Sequence, residues 1–169
     1  VKADAYGHGA IWVGRMLEEL GAAYLAVSNL DEARELRQAG IAMPILILGH
    51  TPEEYVPQLI ENGVTQAVTC EAKAQAYNEA AARCGGTLKV HLKVDTGMSR
   101  LGYLCEGAHF EEGVANARRS CAMAHLEVEG IFTHFAVSDE DDGESEDYTR
   151  RQFGVFTAVL DALEERDVR

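Results

Sequence analysis

One pattern restricts this chain more than any other. Short apolar runs alternate with helical stretches, and a glycine stands just past most of the helices. Residues 23–27, 45–48, 64–69, 88–95 and 126–135 read as strands, and 45–48 (Ile-Leu-Ile-Leu) is an unbroken apolar run. Such runs suit parallel strands covered on both faces, because alternation is lost when neither face meets water. Between them, residues 10–20, 30–39, 51–62, 71–83 and 110–122 have helical character, with Gly21, Gly40, Gly63 and Gly85 placed as C-terminal stops. The last helix is expected over 148–166, with Phe153, Phe156, Val159, Leu160 and Leu163 on its inner face. Asn29 or Ser28 could cap the second helix, and Thr51 with Pro52 the third.

Strand and helix joined by short loops demand right-handed crossovers and a parallel sheet. No G-x-G-x-x-G follows a predicted strand, so a doubly wound dinucleotide fold is disfavoured. The expected class is α/β, an incomplete TIM-type (β/α)8 barrel with about five or six of the eight strands. A full barrel takes about 250 residues, and this chain has 169 beginning on Val1. It is expected to be a piece of a longer protein, a partial barrel domain over 1–169.

Charge narrows the function classes. The net charge is −13 and the pI near 4.8, which disfavours nucleic acid, since that needs clustered Lys and Arg. No apolar run reaches membrane-spanning length, so no membrane partner is expected. Cys70, Cys84, Cys105 and Cys121 form no C-x-x-C pair, so neither zinc nor a redox dithiol is indicated, and buried thiols in a reducing cytosol are expected. The acidic run from Ser138 to Glu144 lacks a closing glutamate for a calcium loop and reads as solvated. No metal site is expected, and His8, Trp12, His50, His109 and His125 receive no role.

Two stretches could carry chemistry. The first is Val1-Lys2-Ala3-Asp4-Ala5-Tyr6-Gly7-His8-Gly9, a lysine at a strand end before a glycine-rich turn into a helix. Lysine forms Schiff bases when its amine is partly desolvated, and backbone N–H groups of the turn could meet an anion. Together they suit an aldehyde cofactor carrying a phosphate. The second is His91-Leu92-Lys93-Val94-Asp95-Thr96-Gly97-Met98-Ser99-Arg100-Leu101-Gly102. His91, Lys93 and Asp95 fall on one strand face, either lining a barrel interior or lying on a solvated edge strand, and Arg100 on the following loop can grip a carboxylate or phenolic oxygen.

Both stretches resemble signatures of alanine racemases, as do Gly130-Ile131-Phe132-Thr133-His134-Phe135-Ala136, Ala26-Val27-Ser28-Asn29-Leu30-Asp31-Glu32-Ala33 and Pro44-Ile45-Leu46-Ile47-Leu48-Gly49. The matches run in order along essentially the whole chain. The resemblance implies pyridoxal 5′-phosphate (PLP) held as a Schiff base by Lys2, whose freed amine then serves as one of two bases. It further implies Tyr6 on the phosphate, Leu48 near the cofactor, and Arg100 beside the phenolic oxygen and substrate carboxylate. His134 would pack on the pyridine ring, and Lys93 would be a candidate for carbamylation. The implied activity is interconversion of L- and D-alanine for peptidoglycan in a cytoplasmic homodimer. The alternatives are a serine or broader amino-acid racemase domain, or a non-catalytic PLP-binding barrel protein. The family's second base, a tyrosine of the C-terminal β-domain, is not in this sequence, so the chain alone is expected to be inactive.

Overall fold

Three of the apolar runs pair as the sequence predicts. Strands β1 (Leu25–Val27), β2 (Ile45–Ile47) and β3 (Val64–Val68) lie parallel, in registers that put Leu25 opposite Ile45 and Ile45 opposite Val64. Every residue of β2 and β3 is buried, which explains why these strands do not alternate. The computed structural model describes residues 1–164, so the part of the last predicted helix beyond Glu164 lies outside the described residues. The chain forms two compact units, one of Val1–Ala67, Ala76–His91 and Ala124–Glu129, the other of Val68–Gln75, Leu92–Met123 and the residues from Gly130 on.

In the first unit, α1 (Lys2–Gly7) is a single turn that winds the wrong way, described below. Helix α2 (Ala10–Glu19) packs through Ala10 and Gly14, where a Cβ on Gly14 would come within 2.8 Å of Ile41 Cδ1. Leu20 is 74% exposed, because the packing line runs through the small residues instead. Helix α3 (Leu30–Gln38) starts at Asn29, whose side chain accepts the Glu32 N–H at 3.0 Å, and buries Leu30, Ala33 and Leu36. It ends at Gly40 with φ 82°, a left-handed conformation that costs glycine nothing. Arg37 then donates to the carbonyls of Ile41, Met43, Asn62 and Gly63, satisfying two helix-to-strand loops at once.

Thr51 does not act as the predicted cap. It is buried with an unpartnered Oγ1, and a 3-10 turn (Glu53–Tyr55) precedes α4 (Val56–Glu61). Helix α5 (Glu71–Arg83) matches the expected span, and its Asn78 side chain accepts the His125 N–H. Glu129 accepts hydrogen bonds from Tyr24 and Thr65 and pairs with Lys89.

In the second unit, the end of β4 (Leu88–Asp95) pairs in parallel with β5 (Tyr103–Leu104), a two-residue strand too short to be read from sequence. Helix α6 (Phe110–Cys121) crosses it at Gly113, where a Cβ would stand 2.1 Å from the Leu104 oxygen. The Tyr103 hydroxyl donates to Ser120 at 2.7 Å, and burial raises its pKa. Strand β6 (Leu126–Phe132) lies beside β4 and ends three residues before the predicted 135. The last helix, α7 (Gly143–Glu164), begins earlier than predicted. It buries Gln152, Val159 and Leu163, while Phe153 is 59% exposed. All four cysteines are free, but only Cys105 is buried; Cys70 and Cys84 are exposed, contrary to expectation. The α/β class and the parallel pairing within a sheet of six strands among the described residues accord with the partial barrel expected from sequence.

Candidate functional site

The residues singled out by sequence fall in both units: Lys2, Tyr6 and Leu48 in the first, Lys93, Arg100 and His134 in the second. Each set is built by its own local framework.

Lys2 opens a left-handed turn. Ala3, Asp4, Ala5 and Tyr6 all have φ between 51° and 55°, and Gly7 and Gly9 follow at 88° and 90°. Left-handed helix costs a residue with a Cβ about 1–2 kcal/mol, so a run of four needs specific support. Part of it comes from Asp4, whose carboxylate accepts the Ala10 N–H at 2.7 Å and whose carbonyl accepts the Gly9 N–H at 3.0 Å. More comes from Glu32, which accepts the Ala3 N–H through Oε1 at 3.0 Å and the Ser28 N–H through Oε2 at 2.7 Å. The turn amides assigned from sequence to a phosphate are therefore already engaged. His8 N donates to the Ala5 oxygen, and Gly9 and Ala10 donate to Asp4.

Lys2 itself is exposed, so the first unit alone does not supply the desolvation expected of its amine. Its ammonium sits 5.6 Å above the Tyr6 ring and makes no ion pair among the described residues. Tyr6 is 73% exposed, leaving its phenol accessible. Leu48 continues from β2, half-buried, and its N–H donates to the Val27 oxygen at 2.9 Å. A primary amine with no carboxylate upon it, next to an accessible phenol, fits a phosphorylated aldehyde such as PLP.

The second unit holds Arg100 through Asp95. The carboxylate of Asp95 accepts three backbone N–H groups, from Gly97 and Ser99 at 3.0 Å each and from Arg100 at 2.9 Å. Ser99 takes φ 56° within this loop, and Tyr148 donates to the Gly97 oxygen at 2.6 Å. Arg100 is exposed, and its backbone N–H is held by Asp95. Lys93 and Asp95, at 6% and 5% exposure, are buried on a strand with neighbours on both sides. The solvated edge-strand reading of β4 is thus excluded for this end of the strand. Burial first, and the charge of Arg100 second, lower the Lys93 pKa, against a raising contribution from Asp95. Cys105, whose N–H donates to the Asp95 oxygen, has its thiol pKa pushed up to about 11 by burial.

A directed hydrogen-bond chain joins the loops that carry Arg100 and His134. The Thr133 hydroxyl donates to the Val94 oxygen at 2.9 Å. Its one proton is thereby used, so the Thr96 hydroxyl donates to Thr133 across 2.8 Å. Gln152 Nε2 donates to Thr96 at 3.2 Å and to the His134 oxygen at 3.3 Å, while its Oε1 accepts the Ala136 N–H at 2.9 Å. His134 is exposed at the end of this chain. Sequence reasoning gave no role to Glu32, Asp95, Thr133 or Gln152. Only Asp95 left a signal, as a carboxylate on a buried strand.

No group of three or more metal-ligating side chains occurs among the described residues, and no helix among them is long and apolar enough to cross a membrane.

Over residues 1–169 the chain matches the family described as "Alanine racemase, N-terminal domain". It is 43% identical over 169 residues to the alanine racemase of Desulfovibrio desulfuricans, covering 100% of this chain and 43% of that protein. To the enzyme of Desulforamulus reducens it is 45% identical over 168 residues, covering 99% and 44%. The solved structure of the Clostridium difficile 630 alanine racemase in complex with cycloserine superposes with a TM-score of 0.91 at 40% identity, covering 100% of this chain and 44% of that one. The chain thus spans less than half the length of the curated relatives it matches.

Proposed function

We propose that this chain, which belongs to the alanine racemase family through its N-terminal domain, supplies the lysine-bearing part of a PLP-dependent enzyme that interconverts L- and D-alanine. Bound PLP supplies an electron-withdrawing ring that accepts the charge left when an amino acid loses its Cα proton. Lys2 Nζ would hold the cofactor at its carbonyl carbon, and its free amine would serve as the base on one face of Cα. The Tyr6 phenol donates to the phosphate, and Leu48 closes the apolar side. Arg100, its loop pinned by Asp95, binds the substrate carboxylate and the cofactor's phenolic oxygen. His134 packs on the pyridine ring.

Lys93 sets a constraint of its own. A buried ammonium near Arg100 is repelled, whereas a carbamate there would be anionic and would pair with the guanidinium. We therefore take Lys93 as the carbamylation site. The opposite face of Cα needs a second base, which we place on a tyrosine of a C-terminal β-domain from the other subunit of a homodimer. A cytoplasmic role in supplying D-alanine for peptidoglycan follows from the same reading. Alanine is preferred to serine because the curated relatives named above are alanine racemases.

The observation that carries the reading is the Lys2 motif, a lysine amine with no ion pair among the described residues, beside an accessible tyrosine in the family's sequence context. Its test is incubation with PLP followed by borohydride reduction and peptide mass mapping. Pyridoxyl mass on the peptide containing Lys2, and its loss in Lys2→Ala, are expected. Labelling spread over the other lysines and unchanged by Lys2→Ala would overturn it.

A further inference from the structure

The glutamate that opens α3 does something a helix-capping residue need not do. Glu32 sits three residues after the cap Asn29, where a capping-box acid would reach back to the Asn29 N–H. Its two oxygens go elsewhere, Oε2 to the Ser28 N–H at 2.7 Å and Oε1 to the Ala3 N–H at 3.0 Å. The sequence separation to Ala3 is 29 residues, so this bond is a tertiary choice and not a by-product of helix geometry. Ala3 is the first residue of the left-handed run, and its nitrogen is bonded to the Lys2 carbonyl carbon. Fixing that N–H fixes the peptide plane after Lys2, and with it the direction in which the lysine side chain leaves the backbone.

We propose that Glu32 is a positioning residue for Lys2: its carboxylate ties the strained turn to the end of β1 and aims the amine at an incoming aldehyde. This rests on the reading of Lys2 as the PLP-binding lysine. A carboxylate suits the task because both amides present donors; a glutamine would oppose one N–H with its own NH2. The Val1 nitrogen, donating to the Ala26 oxygen at 2.8 Å, adds a second tie between the same two segments.

The experiment compares Glu32→Gln, Glu32→Ala and Asn29→Ala with the unchanged chain. Amide hydrogen exchange at Ala3 and Ser28 is measured without any ligand, and the rate of pyridoxyl incorporation at Lys2 is measured with PLP and borohydride. Both Glu32 variants should speed Ala3 exchange and slow incorporation about tenfold, equivalent to about 1.4 kcal/mol. Asn29→Ala, which removes only the helix cap, should lower Tm with little effect on either readout. Unchanged Ala3 exchange in Glu32→Ala overturns the proposal, as do Asn29→Ala losses equal to those of the Glu32 variants. If Lys2 of the unchanged chain takes no pyridoxyl group, the functional reading fails by itself, and the ligand-free exchange still decides whether Glu32 holds the turn.

Discussion

Asp95 and Lys93 show how much one buried side chain can decide. Asp95 gathers three backbone donors from the loop that carries Arg100. Asp95→Ala is expected to cost about 3 kcal/mol, the consequence of stranding part-buried N–H groups, and to free the Arg100 loop. Urea unfolding would measure the first and proteolysis near Arg100 the second. Lys93 works in the opposite direction. Its folded pKa lies below the unfolded value, so an unmodified ammonium opposes folding at neutral pH. That penalty fades as pH rises through the folded pKa toward about 10.4. Lys93→Met in an unmodified chain should therefore raise stability at pH 7 by roughly 1 kcal/mol, and the advantage should shrink as pH rises toward the unfolded lysine value. Denaturation curves at pH 7 and pH 9.5 would show it, and a carbamate on Lys93 would reverse the sign.

At the scale of elements, legibility followed the range of the forces. Strand β2 and the helices stopped by Gly40 and Gly85 were readable because an apolar run and a left-handed glycine are local signals. The turn after Lys2 was not, because Ala3, Ala5 and Tyr6 have no intrinsic preference for positive φ. The carboxylates of Asp4 within the turn and of Glu32 beyond it support that conformation, and the sequence displays the glycines of the turn but not its hand. Helix α7 failed in a related way. A glutamine in a helix reads as solvent-facing and a phenylalanine as core, yet Gln152 is buried on loop amides and Phe153 is exposed. Of the candidate site, the motif residues stand out in the sequence, while most of the residues that hold their backbone in place do not. The strain itself is measurable. Ala5→Gly relieves one unfavourable φ at an entropic cost in the unfolded chain, so a net gain of about 0.5 kcal/mol is expected. A thermal scan should place Tm roughly 1–3 °C higher, whereas a fall would mean that the turn carries no strain.

For the molecule as a whole, the charge sets a condition on any anionic ligand. With 15 basic and 28 acidic residues the chain carries −13, and PLP brings a phosphate dianion to it. On the proposed reading the far field repels PLP, while the Lys2 ammonium would attract it at close range. Screening separates the two. Raising ionic strength from about 0.01 M to 0.15 M shortens the Debye length from about 30 Å to 8 Å, which removes distant repulsion first and leaves contacts within a few ångströms nearly intact. The rate of pyridoxyl incorporation at Lys2 should thus rise with salt, by about twofold to fivefold. Pyridoxal, which lacks the phosphate, should show almost no dependence and so controls for any effect of salt on the amine itself. A rate for PLP that falls with salt would mean that a local cationic field outweighs the net charge, and that the phosphate is drawn in by basic groups and not merely tolerated by the Tyr6 phenol.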